Sequence, residues 1–217
     1  MPDIVLPAEK VKAFFTHYAA RTYQRREILI QAGEEPEGIF YLTGGRVSQY
    51  DIMPNGTEVV VNIFKPGAFF PMSWAINKTP NQYFFEAATN VTAHRAPAGA
   101  AVAFLQANPD VAYDLLARVY RGTDGVLRRM AYLMGGDAQK RVLFELLNAY
   151  YRFGEPQTDG STFVPMTEGA LAKQSGLTRE TVSRMLSDLR QKDLLTARTH
   201  GIVIRDVESL EALLARG

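Results

Sequence analysis

The sequence predicts an α+β fold in three parts: an antiparallel β-roll or sandwich over residues 1–108, a long helix and hinge over 109–136, and a winged helix-turn-helix over 137–217. Three patterns carry that expectation. Between Thr22 and Pro97 short apolar runs alternate with turn signals. From Asn108-Pro109 to about Met134 apolar residues recur at steps of three and four, and from Met166 to Ile204 two short capped helices precede two short strands.

In chain order, an amphipathic segment from about Pro7 to Ala20 carries Val11, Phe14, Phe15 and Tyr18. The apolar runs that follow are Glu27 to Ile30, Gly38 to Leu42, Arg46 to Ile52 and Val59 to Phe64. They are separated by Gly33-Glu34-Glu35-Pro36, Gly44-Gly45 and Pro54-Asn55-Gly56, and closed by Lys65-Pro66-Gly67. Strands at that spacing, bounded by Gly, Pro and Asn, pair as antiparallel neighbours. Ala98 to Ala107 is predicted to be a short helix, and Asn108-Pro109 starts the long one. Along it Ala112, Leu115, Val119, Gly122, Val126, Arg129 and Leu133 form a heptad seam. That seam either meets a second copy of the chain or packs on the β-roll. Gly122 and Gly125 each cost about 1 kcal/mol of helix propensity relative to alanine, and Arg129 needs a carboxylate, a carbonyl or water. Gly135-Gly136-Asp137 reads as a hinge whose Asp137 caps the next helix. That helix runs to about Phe153 with Val142, Leu143, Leu146 and Leu147 on one face. Gly154 to Ser161 is a polar loop, and Val207 to Arg216 is a tail helix that can pack on either domain.

The stretch from Met166 to Lys192 is the most informative. Thr167 is placed to cap a helix through Gln174, Ser175-Gly176-Leu177 turns the chain, and Thr178 caps a second helix with Val182, Met185, Leu186 and Leu189 on one face. On the outward side lie Arg179, Glu180, Ser183 and Arg184. Arginine donates two hydrogen bonds to guanine O6 and N7, and glutamate accepts one from cytosine N4. The competing reading is an exposed Glu180–Arg184 ion pair worth a few tenths of a kcal/mol. Three features favour the first. Arg179 sits in a first turn, where the helix dipole opposes a cation. Residues 166–205 hold seven Lys/Arg against four Asp/Glu, in a chain whose net charge is +1. Leu194 to Ala197 and Gly201 to Ile204, around Thr199-His200-Gly201, form a wing.

At these residues the sequence resembles the Crp-Fnr superfamily of bacterial transcription regulators. Arg179, Glu180 and Arg184 fit the Arg-Glu-x-x-x-Arg pattern of its cyclic-AMP receptor branch, and Glu180, Ser183 and Arg184 fit the Glu-x-x-Ser-Arg pattern of its fumarate-nitrate branch. The resemblance implies a cyclic-nucleotide-binding-like β-roll and a homodimer joined through Leu115, Val119, Gly122, Val126, Arg129 and Leu133. It also implies double-stranded DNA as target, read by Arg179, Glu180, Ser183 and Arg184, with Thr167, Thr178 and His200 at phosphate. RNA polymerase is the implied protein partner. Activation and repression, and TGTGA-like and TTGAT-like half-sites, stay open alternatives. So does a sensor-fold interaction module that has lost DNA binding, against which the intact recognition helix speaks.

The ligand positions depart from that family's pattern. Its phosphate-binding Gly-Glu pair becomes Pro71-Met72, and its Arg-Ser pair falls near Asn81-Gln82, with no arginine between Arg46 and Arg95. A buried phosphate without a cation is an unpaired charge, so the sequence argues against cyclic AMP. The polar pair that meets the base in the cyclic-AMP branch aligns with Val126-Leu127. In place of the ligand set stand Phe69, Phe70, Met72, Trp74, Tyr83, Phe84 and Phe85, either as β-roll core or, with Phe70, Met72, Trp74, Phe84, Val126 and Leu127 as lining, as a pocket for a small apolar effector.

Composition narrows the remaining classes. The absence of cysteine excludes disulfides and a cysteine-ligated iron-sulfur cluster. His17 and His94 lie in no haem motif, and His200 falls in the wing, which argues against haem. No cofactor is expected. A 47% hydrophobic, 22% charged chain is ordinary for a globular protein. No run approaches the roughly 18 apolar residues of a membrane span, and Met1 to Lys10 lacks a signal-peptide pattern, so the expected location is the cytoplasm. No GxGxxG, P-loop or HExxH occurs and no nucleophile–base set assembles, so an enzyme is not expected.

Overall fold

The computed structural model describes residues 6–54, 56 and 58–215. Asn55, in one predicted turn, and Arg216, at the predicted end of the tail helix, lie outside the described residues. The chain forms two compact units, residues 1–121 and 122–217. The division falls inside a helix.

In the first unit, α1 (Pro7–Thr16) buries Val11 and Phe15. Eight strands follow: β1 (Ala20–Tyr23), β2 (Ile28–Ile30), β3 (Ile39–Gly44), β4 (Val47–Ile52), β5 (Glu58–Phe64), β6 (Phe69–Phe70), β7 (Phe84–Ala87) and β8 (Val91–Ala96). They make two antiparallel sheets, ordered β1-β8-β3-β6 and β2-β7-β4-β5. The four runs expected from turn spacing correspond to β2, β3, β4 and β5. Strand β3 shows how the unit is layered, because its first four residues are all buried. A strand sends alternate side chains to opposite faces. Phe40 and Leu42 accordingly join Ile30, Val47, Phe70 and Phe85 between the sheets, while Ile39 and Tyr41 join Val11, Phe15, Leu105 and Val111 under the helices. Those helices are α1, α3 (Ala98–Ala107) and the start of α4 (Pro109–Gly135). A short helix that the turn pattern does not reveal, α2 (Met72–Asn77), connects β6 to β7.

The interior between the sheets is filled by stacked rings. Phe70 lies 5.3 Å from Phe85 and 4.6 Å from Phe64, with interplanar angles of 4° and 24°. Offset-stacked rings at such distances add about 0.5–1.5 kcal/mol per pair beyond their buried area.

The second unit contains the later turns of α4, then α5 (Ala138–Phe153), α6 (Glu168–Ser175), α7 (Arg179–Gln191) and α8 (Val207–Ala215). The Asp137 carboxylate accepts from the Lys140 N–H at 2.8 Å, the expected cap of α5. The sheet is larger than the predicted hairpin. Strands β11 (Leu195–Arg198) and β12 (Gly201–Ile204) are extended by β10 (Thr162–Val164) and β9 (Glu155–Pro156), in the order β11-β12-β10-β9. Glu155 and Pro156, expected in a loop, are therefore a strand. Helix α8 packs on α5, with Leu210 fully buried in the same core as Leu143, Leu146, Leu186 and Leu195.

The junction of α4 and α5 is braced. Tyr132 stacks on Phe144 at 4.7 Å, the Gly136 N–H donates to the Tyr132 carbonyl at 2.9 Å, and Arg141 Nε donates to the Gly136 carbonyl at 3.1 Å. The boundary between the compact units lies at Arg121/Gly122.

Of the predicted seam, Val119 and Val126 are exposed, whereas two other members turn inward. Leu115 packs into the core of the first unit, and Arg129 turns onto the Glu145 carboxylate at 2.5 Å. Both side chains are used within their own chain. The exposed apolar residues of α4 are Tyr113, Leu116, Val119, Tyr120, Val126, Leu127, Met130 and Met134. Tyr113, Leu116, Tyr120, Leu127, Met130 and Met134 keep alternating steps of three and four through Thr123, one residue later than the predicted set.

Candidate nucleic-acid interface

Helices α6 and α7 and the β11–β12 hairpin build the site. Each helix starts on a threonine. Thr167 Oγ1 accepts from the Ala170 N–H and Thr178 Oγ1 from the Thr181 N–H, both at 3.2 Å, and a cap of this kind is worth about 1 kcal/mol. Between the helices Gly176 takes a left-handed conformation, with φ at 65°, and its N–H returns to the Ala172 carbonyl. The Leu177 N–H also donates to Ala172. That turn is closed by its own backbone.

Helix α7 has two faces. Val182, Leu186 and Leu189 are buried, whereas Arg179, Glu180 and Arg184 are exposed and Ser183 is half-buried. Together with Glu168, Ser187 and Asp188 these four line one surface depression. All four predicted base-reading residues are thus brought onto one surface, while Glu168, Ser187 and Asp188 were not anticipated. Ser187 and Asp188 continue the same face one turn on, at i+4 from Ser183 and Arg184, a spacing readable from the helix repeat.

Glu180 is held below the usual carboxylate range by its own backbone N–H at the helix start, by the Thr178 hydroxyl and by the neighbouring Arg179 charge. It is an ionised acceptor at neutral pH. The Glu180–Arg184 ion pair considered from sequence is not formed among the described residues. The Arg179 guanidinium lies beside Gly169, where a Cβ would lie 3.7 Å from Arg179 Nε, in ordinary contact. Arg190 ties the end of α7 back to the start of α6 through Glu168 at 3.5 Å and to the Leu186 carbonyl at 3.2 Å.

Thr167, Thr178 and His200 are exposed, the first two at helix starts and His200 at the tip of the β11–β12 hairpin. Exposed N–H groups at a helix start favour an anion.

The candidate effector residues of the first unit do not gather. Phe70 belongs to the inter-sheet core, Met72 and Trp74 to the core under the helices, and Phe84 stacks on Tyr50 at 5.2 Å. Asn81, at the position expected to meet a cyclic phosphate, is buried with its amide donated to the Gln31 and Tyr83 carbonyls. Val126 and Leu127 are exposed on α4.

A winged helix-turn-helix following a two-sheet roll and a long connecting helix defines a DNA-binding transcription regulator. Residues 140–213 match the Crp-like helix-turn-helix domain and residues 20–108 the cyclic nucleotide-binding domain. The chain belongs to the Crp-Fnr superfamily, a family of transcription regulators and not of enzymes. It is 26% identical over 190 residues to a global nitrogen regulator of Nostoc sp., covering 84% of this chain and 83% of the relative. It is also 26% identical over 204 residues to the cAMP-activated global transcriptional regulator CRP of Pasteurella multocida, covering 88% and 92%. The same fold is seen in CLP, the c-di-GMP responsive global regulator of Xanthomonas campestris, with a TM-score of 0.76, 20% identity, and 92% and 99% of the two chains covered.

Among the described residues no helix is long and apolar enough to cross a membrane. The sequence holds no cysteine, so a cysteine-ligated iron-sulfur cluster has no ligands here.

Proposed function

We propose that the chain works as a homodimer that reads an inverted repeat with TGA-containing half-sites about one helical turn, roughly 34 Å, apart. One observation carries this: the first two turns of α7 present Arg179, Glu180, Ser183 and Arg184 outward together, with Glu180 held ionised. Glu180 and Arg184 read the G·C pair and Arg179 takes a second guanine; in the alternative pattern Ser183 touches a thymine instead. Thr167, Thr178 and His200 meet phosphate and set the register without reading sequence. The dimer face is the exposed stripe of α4, and RNA polymerase is the protein partner at the promoter.

Binding-site selection on random duplexes tests the assignment. Arg184→Ala should cost about 1–3 kcal/mol per half-site and relax the preference at the guanine, whereas loss of a phosphate contact weakens all sequences alike. A selection with the variant that returns the wild-type motif at full stringency defeats the recognition-helix reading. The alternative, an interaction module without DNA binding, would show no shift of any genomic fragment.

The first unit is proposed to work without a cyclic nucleotide. Asn81 is satisfied by backbone carbonyls, no arginine lies between Arg46 and Arg95, and phenylalanines fill the space between the sheets. Millimolar cyclic AMP or cyclic GMP should therefore leave the melting temperature unchanged, because a ligand stabilises only as far as it binds the folded state. A saturable rise of several degrees would show that another cation receives the phosphate. An apolar effector remains the second reading, and a copurified molecule identified by mass would establish it.

A further inference from the structure

Helix α5 carries a carboxylate where its apolar face calls for a hydrocarbon. Glu145 is 2% exposed and sits among Val142, Leu146 and Ala149 at helical spacing. Burial pushes its carboxyl up, opposed by the Arg129 guanidinium 2.5 Å away and by Arg152. A buried carboxylate is strongly destabilising unless paired, so the pair requires a reason beyond stability.

Arg129 supplies one. Its Nη2 donates to the Gln174 carbonyl at 2.8 Å, in the last turn of α6. The closing turn uses the Ala172 carbonyl, for both Gly176 and Leu177. The carbonyls that end a helix lack intrahelical partners and attract a cation. One planar guanidinium therefore joins three helices, holding the α5 carboxylate and the end of α6 from α4. Its target lies four residues before Thr178, the cap of α7. On α4 the next residue outward is Met130, in the exposed apolar stripe.

We propose that Arg129 is a positioning residue for DNA recognition: by bridging Glu145 and the Gln174 carbonyl it fixes the turn from which the recognition helix leaves. The inference rests on the DNA-binding reading above. Arginine suits the task because its fork serves two acceptors at once, which a lysine point charge does not. Any shift of this turn of α4 is passed to the Ser175–Leu177 turn by a charged hydrogen bond.

The test uses full-length wild type, Arg129→Gln, Arg129→Lys and Glu145→Gln. Anisotropy is read on the duplex selected with wild type and on a scrambled duplex, with amide hydrogen exchange on the free proteins. Arg129→Gln should weaken the selected duplex by about tenfold or more and the scrambled one by less than about twofold, with its salt slope unchanged, since Arg129 neutralises no phosphate. Exchange should rise at Ser175–Leu177 and not across the core of α5. Arg129→Lys and Glu145→Gln should fall between, and they carry the comparison if Arg129→Gln fails to fold. Wild-type affinity for the selected duplex, a salt slope reduced by one contact, or exchange raised evenly through the second unit each overturn the proposal. If no duplex is selected by wild type, the DNA reading fails; exchange at Ser175–Leu177 then decides the bridge alone, its rise supporting it and no change overturning it.

Discussion

A Leu127→Glu chain is expected to run as a monomer of 24.1 kDa and to lose most of its affinity for an inverted repeat. Leu127 is 57% exposed in the single chain and lies mid-stripe between Tyr120 and Met130. If two such stripes face each other, the substitution removes an apolar contact and sets two carboxylates near the two-fold axis, without partners and out of water. Each costs several kcal/mol, enough to separate most dimers held by two helices. DNA affinity then falls further than the loss of one protomer suggests. A dimer binds its second half-site intramolecularly, and giving that up costs about 10²–10⁴ in apparent affinity. Leu127→Met, close to isosteric, should retain both mass and binding. Light scattering checks the first outcome and anisotropy the second. A Leu127→Glu protein at twice 24.1 kDa would place the dimer elsewhere.

A large loss of fold stability is expected from Gly201→Ala. Gly201 opens β12 beside the wing tip and is buried. A Cβ there would lie 2.4 Å from the Val164 carbonyl oxygen and 2.5 and 2.6 Å from two carbons of the Phe163 ring. The ring can turn aside; the carbonyl is fixed in the β10–β12 register, where Val164 faces Ile202. Overpacking of this kind costs about 1–3 kcal/mol or more, a large part of a typical domain's 5–15. The urea midpoint followed by far-ultraviolet circular dichroism should fall clearly. Gly99→Ala in α3 is the control, because its Cβ meets nothing within 4 Å and alanine gains about 1 kcal/mol of helix propensity. Equal midpoints for Gly201→Ala and wild type would mean that β10 and β12 are not packed this closely.

Much of this architecture was legible in the sequence because several patterns agreed. Glycine and proline turns at regular spacing marked β2 to β5, paired threonine caps marked α6 and α7, and Asp137 after two glycines marked the start of α5. What was not legible has local causes. Strands β9 and β10 are two and three residues long, too short for alternation to register; β9 shows only as an exposed Glu-Pro pair and exists by pairing with β10. On α4 two adjacent sets, one from Ala112 and one from Tyr113, both satisfy the three-four rule, and periodicity does not say which faces inward. Leu115 and Arg129 turn inward through contacts distant in sequence, while Val119 and Val126 of the same set stay exposed. The outward face of α7 was legible because it depends only on helix phase. The Arg129 bridge was half legible: the need for a carboxylate or carbonyl followed from chemistry, but Glu145 and Gln174 meet it through the tertiary fold.

Trp74, the chain's one tryptophan, stands half-buried on α2 against the core shared by α1 and α3. The unit that presents α7 has tyrosines and no tryptophan. Emission excited at the red edge of the aromatic band therefore comes from the β-roll alone, whereas circular dichroism is weighted towards the helices of the other unit. The two signals give the chain a built-in, label-free way to watch its halves separately during unfolding, and a substitution confined to one of them should displace one trace before the other.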